Sequence, residues 1–334
     1  LTCWTASSSG VRAAFPEELR PVGLPTLEES EALLVARAVG EEGDPEGESA
    51  ALEAFLITFP DSPWTVPLKI ELARMHRVHG RFTEAIHLLY AAWDEGTLQE
   101  SDEAEPAVTA GLGELLRLLT GLGRMEEAQI LLDEALDRPL AGPGAQRIVS
   151  ANEALYVMHA DPGVSFRCGS YALENVADVL GVTTEVDGER LSERYPSPMV
   201  GFSLGELRDI AAAEGIAVRA VKRVREDAPL IVPSVVHWRL GHYAAVQEAY
   251  DTNTDTGTKS SADTGTDTST DSTQAGDHSG AYRVVDPTFD LPGNQLKMAG
   301  ADLDAETDGY FLVPGSQVPD GYREATPEEL ETVR

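Results

Sequence analysis

The sequence predicts an α+β protein in two parts, an all-α region of helical repeats followed by a domain that mixes helices with antiparallel strands. Three observations carry this. Apolar residues recur at three- and four-residue spacing from 26 to about 136; one turn signature appears twice within that span; and beyond 144 two helix starts give way to five strand-like runs. At 334 residues the chain has room for roughly two domains, each with its own core.

Residues 1–25 read as an N-terminal tail, and the helical repeats occupy 26–138. Thr26 and Glu29 form a capping box, the hydroxyl accepting from the Glu29 amide while the carboxylate reaches back. A second start lies at Asp61-Ser62-Pro63-Trp64, where a proline in the first helical position gives up no needed hydrogen bond. Leu68, Leu72, Met75 and Val78 stripe that helix, Gly80 stops it, and Phe82, Ala85, Ile86, Leu89 and Trp93 stripe the next. The turn Gly80-Arg81-Phe82-Thr83-Glu84-Ala85 is then matched by Gly123-Arg124-Met125-Glu126-Glu127-Ala128. This resembles a tetratricopeptide-type (TPR-like) array of helix pairs, whose unit is about 34 residues. The surplus length here falls in the acidic loop 94–105. Such units stack to bury one apolar seam and leave a concave face for a protein partner, and the rival is an ordinary helical bundle.

Residues 139–147, rich in Pro and Gly, read as a linker, and 148–322 as the second domain. One helix opens at Cys168 and runs to Leu180; another opens at Ser203, with Glu206 completing a capping box. Strands are expected at 216–221, 230–238, 242–250, 282–285 and 310–313, and 323–334 as a C-terminal tail. Between them, 251–280 is a tract of Asp, Thr, Ser and Gly without aromatic or large aliphatic residues, a disordered insertion that lengthens one hairpin.

Net charge is −32 with only four lysines, Lys69, Lys222, Lys259 and Lys297. Phosphate recognition needs clustered Lys and Arg, so nucleic acid is not an expected partner. The pattern resembles proteins of salt-loving microbes, whose carboxylate surfaces keep them soluble at high ionic strength. No apolar run approaches the roughly 20 residues that cross a bilayer, so no integral membrane segment is expected. Leu1 opens the sequence, which is compatible with an upstream leader and assigns no compartment. Two cysteines, Cys3 and Cys168, supply neither a disulfide framework nor a zinc cluster, and no metal or cofactor is expected. A bridge between them would tie the tail to a candidate nucleophile.

That candidate is Cys168, in Phe166-Arg167-Cys168-Gly169-Ser170-Tyr171. At a helix start, its thiolate is favoured by unpaired N–H groups and the positive end of the dipole, with Arg167 as a nearby cation. Gly169 would admit a substrate backbone, and the Cys168 amide could serve an oxyanion. The rival is a buried cysteine acting as a small hydrophobe. His242, in Gly241-His242-Tyr243, begins a strand and is placed to act as general base. His237 beside Trp238 reads instead as a packed, hydrogen-bonded histidine, and His159 has no strand to fix it. Asp286, ahead of Pro287, is the candidate third member, against a turn-forming Asp-Pro; Asp290 and Asp302 fit the strand-end position less well.

Residues 166–290 resemble the C39 group of papain-like cysteine peptidases, in which Cys-Gly opens a helix and a Gly-His-Tyr strand precedes an Asp-Pro strand. The helical region resembles the tetratricopeptide segment accompanying such a domain in some large bacterial proteins. The resemblance implies a papain-like α+β fold and hydrolysis of peptide bonds in a peptide or protein substrate, often near small residues, through an acyl-enzyme on Cys168 with His242 and Asp286. One departure stands out. These peptidases carry a glutamine shortly before the cysteine as oxyanion donor, whereas 161–166 reads Asp-Pro-Gly-Val-Ser-Phe. Ser165 or a side chain from elsewhere must then substitute, or the rate falls on the order of a hundredfold. Two other readings keep the residues but change the outcome: a transglutaminase-like thiol acyltransferase, which shares the Cys-His-Asp order and an Asp-Pro-Thr segment, and a non-catalytic scaffold that only grips peptide.

Overall fold

The computed structural model describes residues 11, 14, 15, 19–41, 45–99, 102–142, 144–250, 280–289 and 291–334. The chain divides into two compact units, the first ending at Ala160 and the second starting at Asp161.

The first unit contains helices α1 (Leu27–Glu41), α2 (Pro45–Thr58), α3 (Thr65–Val78), α4 (Phe82–Thr97), α5 (Glu105–Gly121), α6 (Met125–Glu134) and α7 (Gly144–Ala160). The capping box at α1 forms as the sequence predicts, with the Glu29 amide 3.2 Å from Thr26 Oγ1. α3 begins at Thr65, two residues beyond Pro63, because Ser62 turns the chain: its hydroxyl accepts from the Trp64 amide and its carbonyl from Thr65 Oγ1. The duplicated glycine signature has one structural meaning. Gly80 (φ +80°) and Gly123 (φ +79°) each follow a helix, and the next amide reaches back five residues, Arg81 to His76 and Arg124 to Leu119, both at 2.9 Å. Those two bonds define the same Schellman stop, which needs a left-handed residue and so favours glycine at both places. α4 and α6 start immediately after it. Residues 94–97 of the expected acidic loop belong to α4, so the surplus lies partly in a longer helix.

The expected boundaries need correction. Residues 139–147 are not a linker between units. Ala141 donates to Thr109 Oγ1, and Gly144 lies so close to α5 that a Cβ there would meet the Thr109 carbonyl oxygen at 2.3 Å, so α7 belongs to the first unit. Glycine here allows close helix approach as well as chain breaking. The described part of 1–25 is not a free tail either: Val11, Phe15 and Leu19 are buried with Leu33, Leu52 and Trp64 in one core cluster.

The second unit runs α8 (Pro162–Ser165), α9 (Cys168–Val179), α10 (Leu191–Arg194), α11 (Leu204–Ala213), β1 (Val218–Arg223), β2 (Ser234–Trp238), β3 (His242–Tyr250), β4 (Ala281–Val285), β5 (Gln295–Ala299), α12 (Gly300–Glu306), β6 (Thr307–Pro314), β7 (Tyr322–Glu324) and α13 (Pro327–Thr332). The strands make one antiparallel seven-stranded sheet in the order β5-β4-β3-β2-β6-β1-β7. The unit is therefore of mixed α+β class. α9 covers the sheet: Ala172, Leu173, Val176 and Ala177 pack with Tyr243, Ala245, Val285 and Leu312.

β5 and β7 are additions to the five expected strands. Gln295-Leu296-Lys297-Met298-Ala299 and Tyr322-Arg323-Glu324 are edge strands of five and three residues, too short for their alternation of polar and apolar residues to stand out in the sequence. Residues 323–334 are part of the domain, not a tail. Thr326 and Glu329 cap α13, Val333 is buried, and its carbonyl accepts from the Leu204 amide at 2.8 Å. The expected disordered insertion lies outside the described residues except for Gly280.

Candidate active site

α9 begins at Cys168, with Arg167 as its N-cap, and its first helical bond runs from the Tyr171 amide to the Arg167 carbonyl at 2.8 Å. Amides ahead of that bond have no acceptor within the helix, so the Cys168 sulfur sits at the positive end of a twelve-residue dipole. Cys168 is half-buried and carries a free thiol. Arg167 turns its Nε to the Gly163 carbonyl.

Gly169 has a different role from the expected one. It is buried, and a Cβ on it would come within 2.8 Å of Leu207 Cδ1, so the missing side chain lets α9 close against α11. Packing against the neighbouring helix explains this glycine without reference to a substrate.

His242 reaches the site through a tight hairpin. Trp238 pairs with His242 across β2 and β3, and the three residues between them end in Gly241 at φ +74°, with the Gly241 amide donating to the Trp238 carbonyl at 3.0 Å. A left-handed glycine closing a three-residue loop matches the twist of the two strands. The strand is also tied to the cysteine helix. A bulge after Val246 turns Gln247 toward α9, where its side-chain Nε2 donates to the Asn175 main-chain carbonyl at 3.1 Å.

Asp286 follows β4 directly, is fully buried, and accepts from His242 Nε2 at 2.9 Å. With Nε2 engaged, the imidazole meets the cysteine through Nδ1. Cys168 is hydrogen-bonded both to the His242 ring and to the Tyr243 backbone amide. Residues far apart in sequence thus form a line of three: sulfur, imidazole, carboxylate.

Burial opposes every charge in this line, and the neighbours overcome it. Desolvation alone pushes the Cys168 thiol up, but the charge and hydrogen bond of His242, helped by the Tyr243 amide, hold it below its ordinary 9.0. Burial pushes the His242 ring down, yet Asp286 and the Cys168 thiolate raise it well above 6.5. Asp286 would rise on burial and instead lies below 3.8, because His242 and the Thr288 donors favour the carboxylate. All three shifts favour the charged forms, thiolate, imidazolium and carboxylate, which would set a cation between two anions.

Among the described residues, none of the other acids and histidines considered is shown joining this line. His237 is buried with Nδ1 2.8 Å from Asp308 Oδ2 and Nε2 2.7 Å from the Arg334 main-chain oxygen, a packed and hydrogen-bonded histidine. His159 lies exposed in the last turn of α7 in the first unit. Asp302 sits in the first turn of α12, and Asp290 lies outside the described residues, as does Cys3. Ser165 donates its hydroxyl to the Asp161 carbonyl one turn back, at 3.0 Å, at the end of the short α8. The Cys168 amide stands in the first turn of α9, where backbone N–H groups have no acceptor within the helix.

Sequence reasoning missed three contributors. Trp238 Nε1 donates to Asp286 Oδ2 at 3.0 Å, and both the amide and the hydroxyl of Thr288 donate to Oδ1, the amide at 2.8 Å. The third is the Tyr243 amide on the sulfur. Thr288 was legible, since an Asp side chain capping the residue two places on is a common turn; the other two depend on strand pairing.

No family model, curated protein or solved structure matches the chain. Among the described residues no helix is long and apolar enough to cross a membrane.

Proposed function

We propose that the second unit is a cysteine peptidase of the papain-like, C39-resembling type, with Cys168 as nucleophile, His242 as acid–base and Asp286 as its orienting partner. The observation that carries the reading is His242 itself, engaged at Nε2 by a buried carboxylate and through its other nitrogen by the thiol at a helix start. In the reaction, Cys168 sulfur attacks the scissile carbonyl carbon and the oxyanion is held by the Cys168 amide. The C–N bond breaks as His242 passes its proton to the departing amine, leaving a thioester. Water then attacks the thioester while His242 takes its proton, and the C–S bond breaks to release a carboxylic acid and the thiolate. The paired helices of the first unit, TPR-like in this reading, hold the protein that is cut.

The test has two stages. Iodoacetamide should label wild-type Cys168 at pH 6 while leaving Cys168→Ala unlabelled there, since a thiol with its ordinary value is almost fully protonated at that pH. Peptides and proteins are then incubated with and without a primary amine. Free carboxyl products that disappear in Cys168→Ala support the peptidase; amide products point to a transglutaminase-like acyltransferase. A Cys168 of ordinary reactivity at pH 6 sinks both enzyme readings and leaves a peptide-binding scaffold.

A further inference from the structure

Asp286 is an unusual carboxylate in that its two oxygens are served from different places. Oδ1 takes three donors: His242 Nε2, the Thr288 amide and the Thr288 hydroxyl. Oδ2 takes the indole N–H of Trp238, 3.0 Å away. Both Trp238 and Asp286 are completely buried, so water is not at hand to replace that bond.

The placement of the indole follows from the sheet. Trp238 and His242 are cross-strand partners on β2 and β3, and paired residues direct their side chains to the same face about 5 Å apart. An imidazole and an indole thus leave adjacent positions and end on the two oxygens of one carboxylate. Two donors at fixed separation define the plane of that carboxylate, which one donor cannot do. A core tryptophan also needs an acceptor for its N–H, a demand that Phe or Leu would not make at the same place.

We propose that Trp238 is a positioning residue of the site: its indole N–H holds Asp286 Oδ2 so that Oδ1 is presented to His242. The inference rests on the peptidase reading for its consequence in turnover but not for its geometry. Groups facing Asp286 are His242 from β3, Trp238 from β2 and Thr288 from its own loop, with Cys168 of α9 acting across the imidazole. Without the indole donor, Oδ2 is a buried carboxylate oxygen with no partner. The carboxyl then protonates more readily and is free to turn away from the ring.

The experiment replaces Trp238 by β-(3-benzothienyl)alanine, which keeps the bicyclic shape and exchanges the N–H for sulfur, and separately by Phe. The carboxyl carbon of Asp286 is followed by NMR through an acid titration. Its midpoint is expected to rise by about one unit in the benzothienyl protein, a tenfold change in its protonation constant. Turnover of a peptide is expected to fall about tenfold in kcat with KM changed less than about twofold, the pattern of a lost transition-state contact. An unshifted Asp286 midpoint in the folded benzothienyl protein overturns the proposal. The Phe variant reports volume: an equal shift with Phe assigns the effect to the lost N–H, and a shift with Phe alone assigns it to packing and also overturns the proposal. If the wild-type protein cleaves no peptide, the peptidase reading fails while the carboxyl titration still decides this one.

Discussion

Replacing Asp286 by Asn separates the two jobs of the carboxylate, its charge and its shape. The carboxylate lies 2.9 Å from His242 Nε2 in a fully buried setting. With charge centres about 4 Å apart and an effective dielectric constant near 20, the attraction is about 4 kcal/mol, or roughly three units on the His242 titration. The effect on Cys168 has two parts of opposite sign. Asp286 repels the thiolate directly, and it also maintains the imidazolium that attracts the thiolate. Asn removes both. While His242 is still charged, the thiolate is no harder to form, so the acid limb of reactivity should hardly move, and only downward. The alkaline limb, where His242 loses its proton, should fall by about two to three units because the imidazolium has lost its counter-charge. The active pH window narrows from its alkaline side.

Shape contributes separately. Asn offers one acceptor oxygen, whereas two buried ring donors, from His242 and Trp238, converge on the side chain, so one of them must face the amide NH2. The alkylation rate of Cys168 against pH reads the acid limb, and kcat/KM on a cleaved peptide reads both. An alkaline limb that stays in place in folded Asp286→Asn would show that Asp286 is not the charge holding the imidazolium, and an acid limb displaced upward would refute the two-part account.

Three further outcomes follow from the geometry. Gly169→Ala should destabilise the second unit by about 1–3 kcal/mol in denaturant unfolding, since its Cβ lies 2.8 Å from Leu207 Cδ1. In a Leu207→Ala background the same change should cost nothing or stabilise by up to about 1 kcal/mol through helix propensity; an undiminished cost there would refute the contact. His76 is buried in α3, and burial, then the charges of Arg81 and His79, lower it to about 4 from 6.5. The unfolded ring takes a proton through 6.5 and the folded ring only near 4, so acid favours unfolding across that window by on the order of 3 kcal/mol. His76→Leu should flatten this part of the stability profile, and an unchanged slope would exclude His76 as its source. Finally, raising NaCl from 0.1 to 1 M should raise the melting temperature by screening a net charge of −32, yet move the acid limb of Cys168 alkylation by less than about 0.3 unit, because buried pairs are screened little. A displacement of a full unit would mean that surface carboxylates tune the thiol.

Much of the site was legible because each catalytic candidate lies in a short local signal: a cysteine at a helix start, a histidine after a turn glycine, an aspartate at a strand end. Their order sufficed to propose the line that the structure brings together. What stayed hidden depends on pairing. Trp238 is 48 residues from Asp286, and its indole meets the carboxylate only because β2 and β3 pair in one register. Gly169 reads equally well as a substrate-facing or a helix-facing glycine until Leu207 is known to cover it. The boundaries at 1–25, 139–147 and 323–334 stay hidden for one reason: composition alone marks them as tail or linker, while burial of Val11, Gly144 and Val333 is decided by partners distant in sequence.

The register of β3 and β4 explains how 44 residues can separate His242 from Asp286. Tyr250 lies opposite Ala281 at the far end of the ladder, whereas Ala245 lies opposite Val285, next to the site. Residues 251–280 therefore leave and rejoin the sheet at neighbouring points on the end away from the catalytic pair. Closure entropy rises by only about 0.6 kcal/mol for each doubling of such a segment, and that cost falls on the open end of the hairpin. The contacts that fix the spacing lie on the other side of the bulge at Gln247, which is anchored to Asn175 of α9. Length at 251–280 can thus change without altering where Asp286 meets His242, and a tract without aromatic or large aliphatic residues is tolerated between two members of a buried charge line.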